Sequence, residues 1–450
     1  MAKWRLLLLA LCASAAWCQT EPSNSLAADS RLSSETDKQI QSLQRQVKLS
    51  PSDFAGYDEL GSAFFQKARE TGDIAYYDLA EQMLKKSLGL APHDFHAADP
   101  LTHLALVYMG EHRFKDALES AQEAIRLGSG NLPAFAIAGD AYTDMGDYDG
   151  ASEAYHTVQT LGQLTSSPLA LACMSDSRIA YLRFLHGDSV EAIRLMRSAI
   201  AAALQINVPR ENLAWLYFEL GERYFQAGNL EGAETAYQSG ITADPGHYRS
   251  LAGLAKVRAA QGRLDESIHL YQRSIAIIPF PTYLEELGDA YQKSGKEKEA
   301  RQQYDLVEYI GHLGELNRVL ANRELALFHA DQGIKLPEAL ELARNEFEVR
   351  HDIYTWDTLA WVLYKNGRLQ EAAAAMSNAL VLHTNDPLLL FHAGMIYHAL
   401  SKDSEASDFL SRALKTNPHF HILHAEVAKR TLEDIGQARN RDLRSANAER

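Results

Sequence analysis

A frame of small and aromatic residues that recurs about every 34 residues constrains this chain more than any other feature. In its clearest instance Tyr217, Leu220, Gly221, Tyr224, Gly228, Ala233 and Tyr237 lead to Pro245. It returns as Leu254, Ala255, Gly262, Tyr271 and Pro279, then as Leu287, Gly288, Tyr291, Gly295, Ala300 and Tyr304. Further instances run through Trp356, Leu359, Ala360, Gly367, Ala372 and Ala379, and through Gly394, Tyr397, Ala406, Ala413 and Pro418. Upstream, Gly139, Tyr142, Gly146, Ala151 and Tyr155 fit, as do Ala105, Tyr108, Ala117 and Ala124. A fixed period of this length means units that cannot bury an apolar face alone and must stack on their neighbours.

Each position has a physical task. Gly221 and Ala233 let two helices approach closely, and the rings of Tyr224 and Tyr237 fill the space beside them. Gly228 ends the first helix because a left-handed residue is cheapest as glycine. Pro245 stops the second helix. The order aromatic, Leu-Gly, Tyr, Gly, Ala, aromatic, Pro resembles the tetratricopeptide-repeat family position by position. The resemblance covers residues 54 to 418 and implies an all-α fold, a right-handed superhelix or α-solenoid of about ten helix-turn-helix units with a C-terminal capping helix. The units fall near 54–92, 98–130, 132–163, 173–205, 214–246, 248–280, 281–312, 319–352, 353–386 and 387–418. Three of them need insertions, the first by seven residues around Arg69 to Ala75.

The rest of the chain divides around this array, residues 51–418. Lys3 and Arg5 precede an apolar run from Leu6 to Leu11 and small residues at Ala13 to Ala16, the ordering of a secretory signal over 1–18. Cleavage is expected after Cys18, with a cut after Ala16 as the alternative; removal of Cys12 and Cys18 with the signal leaves only Cys173, so no internal disulfide forms. Trp17 is a poor neighbour for a lipidated Cys18, which lipoprotein processing wants beside a small residue. A Ser-rich linker over 19–36, an amphipathic lead-in helix over 37–50, a capping helix over 419–437 and a flexible charged tail over 438–450 complete the reading. The C-terminal stretch around Trp356 to Trp361 and Asn417 to Phe420 is similar to bacterial exported tetratricopeptide proteins, which implies a periplasmic or extracellular setting.

The net charge of −15 disfavours a nucleic-acid partner, since phosphate contacts need a basic face. No stretch after the signal reaches the ~18 apolar residues that cross a bilayer, so no membrane span is expected. The chain lacks His-Glu-x-x-His, Gly-x-x-x-x-Gly-Lys and Gly-x-Ser-x-Gly patterns. Repeats occupy nearly all of it, and neither an enzyme activity nor a cofactor is expected. His419, His421 and His424 form the one tight histidine cluster, read as a solvated cap without a metal.

In the family, ligands contact alternate positions of each unit's first helix, on the concave face. Carried over, those positions are Tyr181, Phe184, Trp215, Phe218, Glu222, Phe225, Arg249, Lys256, Glu285 and Asp289. An aromatic strip followed by basic and then acidic groups suits a peptide groove, and equally suits ordinary core. A second set, Tyr354, Trp361, Tyr364, Phe391, Met395 and His398, has the spacing of a helix pair's own interior. The basic clamp of chaperone-adaptor members is not reproduced, because Arg249 and Lys256 share one helix and the next offers Glu285, Glu286 and Asp289. The function implied is an exported scaffold that holds an unidentified protein or peptide in its groove. The alternatives are a structural subunit of an envelope assembly and an envelope enzyme with a repeat-borne site.

Overall fold

A computed structural model describes residues 35–92, 94–163, 168–316 and 323–448, with side chains described to 314 and from 323 to 438. The proposed signal and nearly all of the linker lie outside the described residues. Those residues form helices without strands. The lead-in helix α1 is Glu35–Leu49, and ten helix pairs follow. They are α2 (Phe54–Thr71) with α3 (Ala75–Leu90), α4 (Ala98–Gly110) with α5 (Phe114–Leu127), and α6 (Leu132–Asp144) with α7 (Tyr148–Gly162). Next come α8 (Pro168–Leu185) with α9 (Ser189–Ile206), and α10 (Arg210–Gln226) with α11 (Leu230–Ala243). The second half holds α12 (Tyr248–Ala260) with α13 (Leu264–Ile277), α14 (Pro281–Lys293) with α15 (Glu297–Leu316), and α16 (Arg323–Gln332) with α17 (Leu336–Glu346). Last are α18 (Ile353–Lys365) with α19 (Leu369–Ala379), α20 (Pro387–Ala399) with α21 (Asp403–Thr416), and α22 (His424–Ala448). The last helix therefore starts after the His419 to His421 segment and its backbone continues through residues assigned above to a tail.

Local chemistry sets the helix ends. Asn229 accepts a hydrogen bond from the Gly232 amide at 2.9 Å and starts α11, while Gly228 at φ 76° ends the preceding turn. Packing within a pair follows one rule. A glycine on the first helix faces a bulky side chain sixteen residues later, so that a Cβ on Gly139, Gly221, Gly288 or Gly394 would lie 2.2 to 2.5 Å from Tyr155, Tyr237, Tyr304 or Leu410. In the first unit the same contact joins Gly61 to Leu84, and the separation grows to 23 because the seven extra residues lie between them. Tyr237, fully buried, is pressed between Gly221 of its own unit and Gly253 of the next.

Successive units wind so tightly that the chain meets itself after about five of them, and it stacks in two tiers. In the first tier, units one to five, the turn inside each pair sits on a connection between units of the second tier. Ile278 presses on Gly72. Arg350 lies over the Phe114 ring at 4.8 Å and pairs with Asp144 at 2.8 Å. The His351 amide donates to the Asp144 carbonyl at 3.1 Å, and the Ile353 amide to the Tyr148 hydroxyl oxygen at 2.9 Å. Asn385 Nδ2 donates to the Gly187 carbonyl at 3.0 Å, and the buried Asn417 Nδ2 to the Phe225 carbonyl at 2.8 Å. A shared apolar core joins Leu216 and Leu220 to Trp361, Leu389, Phe391 and Phe420. The second-tier turns at Gly262, Gly295, Gly333 and Gly367 have the same left-handed backbone but face open space.

No helix among the described residues is long and apolar enough to cross a membrane. Cys173 is a half-buried free thiol.

Candidate functional site

The ten residues singled out from the sequence sit on the first helices of four successive units, α8, α10, α12 and α14. The open-groove and core readings divide between them. Phe184, Phe225 and Asp289 are buried under the chain's own side chains, whereas Tyr181, Trp215, Phe218, Glu222, Arg249, Lys256 and Glu285 are half-buried. Phe184 is covered by the Arg223 guanidinium at 4.2 Å, and that guanidinium also pairs with Glu219 at 3.1 Å. Arg223, which the inward-facing pattern does not include, thus holds Tyr181 and Phe184 of one unit against its own. Trp215 packs on the shared core. Arg249 lies between the rings of Tyr248 and Phe280 at 5.1 and 5.5 Å.

Further along the wall Lys256 Nζ donates to both carboxylate oxygens of Glu222 at 2.9 and 3.0 Å, and Tyr237 donates to the same group at 2.5 Å. Burial on its own would raise the Glu222 pKa, but the Lys256 charge and the Tyr237 hydroxyl outweigh it and hold the carboxylate below its ordinary range. The next carboxylates have no such partner in full. Burial raises Glu286 to about 7, against the pull of Lys256, and raises Asp289 to about 7, against a 2.7 Å hydrogen bond from Tyr304. Glu285 is likewise shifted up by burial and by Asp331.

Of the histidine cluster only His419 is exposed; the other two do not form the expected solvated cap. His421 and His424 stack at 4.2 Å and fold inward, His421 Nε2 lying 3.5 Å from Asp289 and His424 Nε2 3.6 Å from Asp331. Burial lowers both pKa values, that of His424 to about 3, so both rings are neutral at pH 7. The polar pattern of three histidines in six positions is overridden because Phe420 and Ala425 beside them enter the apolar core. No group of three or more His, Cys, Asp or Glu side chains among the described residues is arranged to hold a metal ion. In the second set Trp361 and Phe391 are core, with Trp361 Nε1 donating to Asp331 at 2.7 Å, while Tyr354, Tyr364, Met395 and His398 are half-buried.

A cleft of about 200 Å³ opens between α12 to α14 and the segment that leads into α22. Lys256, Tyr271 and Glu286 form its polar side, Leu264, Phe420 and Ile422 its apolar side, and Lys293 and Lys429 its exposed rim. Glu286 Oε2 is buried there without a hydrogen-bond partner. Sequence periodicity reaches Lys256 but not the opposite wall, which comes from a segment outside the repeat.

Residues 218–281 and 358–419 match the family model described as Tetratricopeptide repeat. Among solved structures the chain is similar to yeast Tom70, with 13% identity over 90% of this chain and 93% of that one and a TM-score of 0.40. It is also similar to the APC/C hetero-tetramer Cut9-Hcn1, with 15% identity over 87% of this chain and 92% of that one and a TM-score of 0.31. No curated protein matches the chain.

Proposed function

We propose that this chain, a tetratricopeptide-repeat protein, is an exported scaffold that anchors a segment of a partner protein in the cleft between α12 to α14 and the segment before α22. Tetratricopeptide repeats generally serve protein–protein interaction and are typically non-catalytic, which supports the general class. The observation that carries the specific reading is the cleft itself. In it Lys256 and Glu286 stand beside apolar Phe420 and Ile422 at an opening to solvent. Its volume is below the roughly 300–1,000 Å³ of small-molecule and cofactor sites, and suits one anchoring side chain flanked by polar contacts. Export is proposed from the basic-then-apolar order of residues 3–16.

A photo-crosslinking residue at Leu264, in the cleft, should trap a partner from the envelope fraction that the same residue at exposed Tyr309 does not. Ile422→Asp should abolish the Leu264 crosslink with the helical signal unchanged. Equal yields from both positions, or an Ile422→Asp crosslink as strong as wild type, would refute the cleft assignment. N-terminal sequencing of the exported chain should begin at Gln19 or Trp17, and an intact Met1 would refute processing.

A further inference from the structure

We infer that the side chain anchored in the cleft is cationic, an arginine or lysine of the partner that donates to the Glu286 carboxylate while acidic neighbours in the partner's sequence meet the lysines at the rim. This inference rests on the cleft reading above and adds the chemistry of the occupant. Glu286 stands half-buried on α14 with a hydrogen bond from Tyr271, and its Oε2 is shut from bulk water without a donor. A carboxylate oxygen in that state has lost its hydration and recovered no hydrogen bond, and an N–H arriving on a ligand restores one.

Lys256 does not fill this role. It lines the same cleft, but both oxygens of Glu222 engage its ammonium at 2.9 and 3.0 Å, so those two charges offset each other. Glu285 and Asp289 of the same helix as Glu286, and Asp331 of α16, repel one another. The groups that meet the two aspartates, Tyr304, Trp361, His421 and His424, bring no positive charge, because both histidines are neutral at pH 7. The wall around Glu286 is therefore negative. The mouth has the opposite sign, with Lys293 and Lys429 exposed and the half-buried Glu426 offsetting one of them. A long basic side chain suits both parts: its methylenes pack on Phe420 and Ile422, and its head reaches the carboxylate.

The same carboxylate makes the grip depend on pH. Facing Glu286 are Lys256 of α12, Glu222 of α10 and the Tyr271 hydroxyl of α13, with Glu285 and Asp289 on its own helix. The hydroxyls of Tyr237 and Tyr283 also sense it. Burial outweighs the pull of Lys256 and leaves Glu286 at about 7, so the group is a neutral acid at pH 6 and a carboxylate at pH 8. A cation gains from the second form, and capture strengthens as pH rises through 7. Asp289, also at about 7, adds to the same trend, whereas His421 is neutral on both sides of it.

The probe is a phage library of random heptapeptides selected at pH 8 on the chain from Gln19 onward, which keeps every described residue. Cleft binders are the peptides that crosslink to a photoreactive residue at Leu264 and not to one at Tyr309. They should carry an Arg or Lys with Asp or Glu close to it in sequence. The tightest of them, made synthetically, should bind Glu286→Gln roughly tenfold or more weakly than wild type at pH 8. That gap should close at pH 6, where Glu286 is protonated, and a peptide with Gln in place of its basic residue should bind both proteins alike. Circular dichroism should show Glu286→Gln as helical as wild type. Cleft binders anchored by apolar or acidic residues would overturn the inference and leave the cleft reading standing, as would a gap that is missing at pH 8 or equal at the two pH values. A selection in which no peptide crosslinks at Leu264 would overturn the cleft reading itself, and this inference with it.

Discussion

Two glycines with the same backbone and different surroundings separate the value of the seam from the value of a turn. Gly146 and Gly367 end the first helices of their units at φ 77° and 74°. Alanine at either must hold the left-handed conformation, at about 1–2 kcal/mol. At Gly367 nothing further is disturbed, because the added methyl meets open space. At Gly146 the methyl would lie 2.5 Å from the His351 carbonyl oxygen, and ordinary contact begins at 3.4 Å. The second tier's backbone must retreat by close to an ångström, which breaks the hydrogen bond from the His351 amide to Asp144, about 0.5–1.5 kcal/mol. It also strains the packing on both sides, at about 1–3 kcal/mol. Gly146→Ala should therefore destabilise by roughly 2.5–6.5 kcal/mol and Gly367→Ala by about 1–2 kcal/mol. Urea unfolding followed by circular dichroism measures both. Equal losses at the two positions would show that the tiers do not bear on each other.

Two further outcomes follow from the inner wall. Glu286 keeps its proton in the folded chain up to about pH 7, while the unfolded chain releases it near pH 4, so this group makes folding less favourable as pH rises between those values. The neutral His424, at about 3 when folded, acts the opposite way between about pH 3 and 6.5, so the difference between Glu286→Gln and wild type is the quantity to measure. That difference should favour the variant increasingly from pH 4 to 8 in urea titrations; a constant difference would refute the raised pKa. Arg223→Ala leaves half-buried Glu219 without its cation and removes the cover over Phe184, a change of about 1.5–3 kcal/mol. A thermal midpoint unchanged from wild type would refute the role of Arg223 as the link between units four and five.

The repeat was legible because its determinants are local. A glycine and the side chain that fills it lie sixteen residues apart, and capping residues such as Asn229 act within one turn. The seam was not legible for the opposite reason. Asn385 and Asn417 reach carbonyls 198 and 192 residues away, and an asparagine before a helix has the same local meaning whether or not it reaches across the molecule. The site was half legible. Spacing placed Glu222 and Lys256 on the first helices of neighbouring units, and the two do pair. Whether an inward face is open depends on how tightly the units wind, and the frame of packing residues does not encode that angle in any one position. The histidines illustrate the same limit, since their burial is imposed by acids and rings from α14, α16 and α18.

The seam also changes how such a chain unfolds and how it is made. An ordinary solenoid holds only neighbour contacts, so it frays from its ends and can be shortened a unit at a time. Contacts that span about 190–205 residues convert that row into something closer to a two-row lattice, in which loss of the last three units strips cover from the third, fourth and fifth. Removing units eight to ten would leave a sticky fragment and not a shorter stable rod. During synthesis the first half must likewise wait, with its inner rings uncovered, until the second half emerges to close over it.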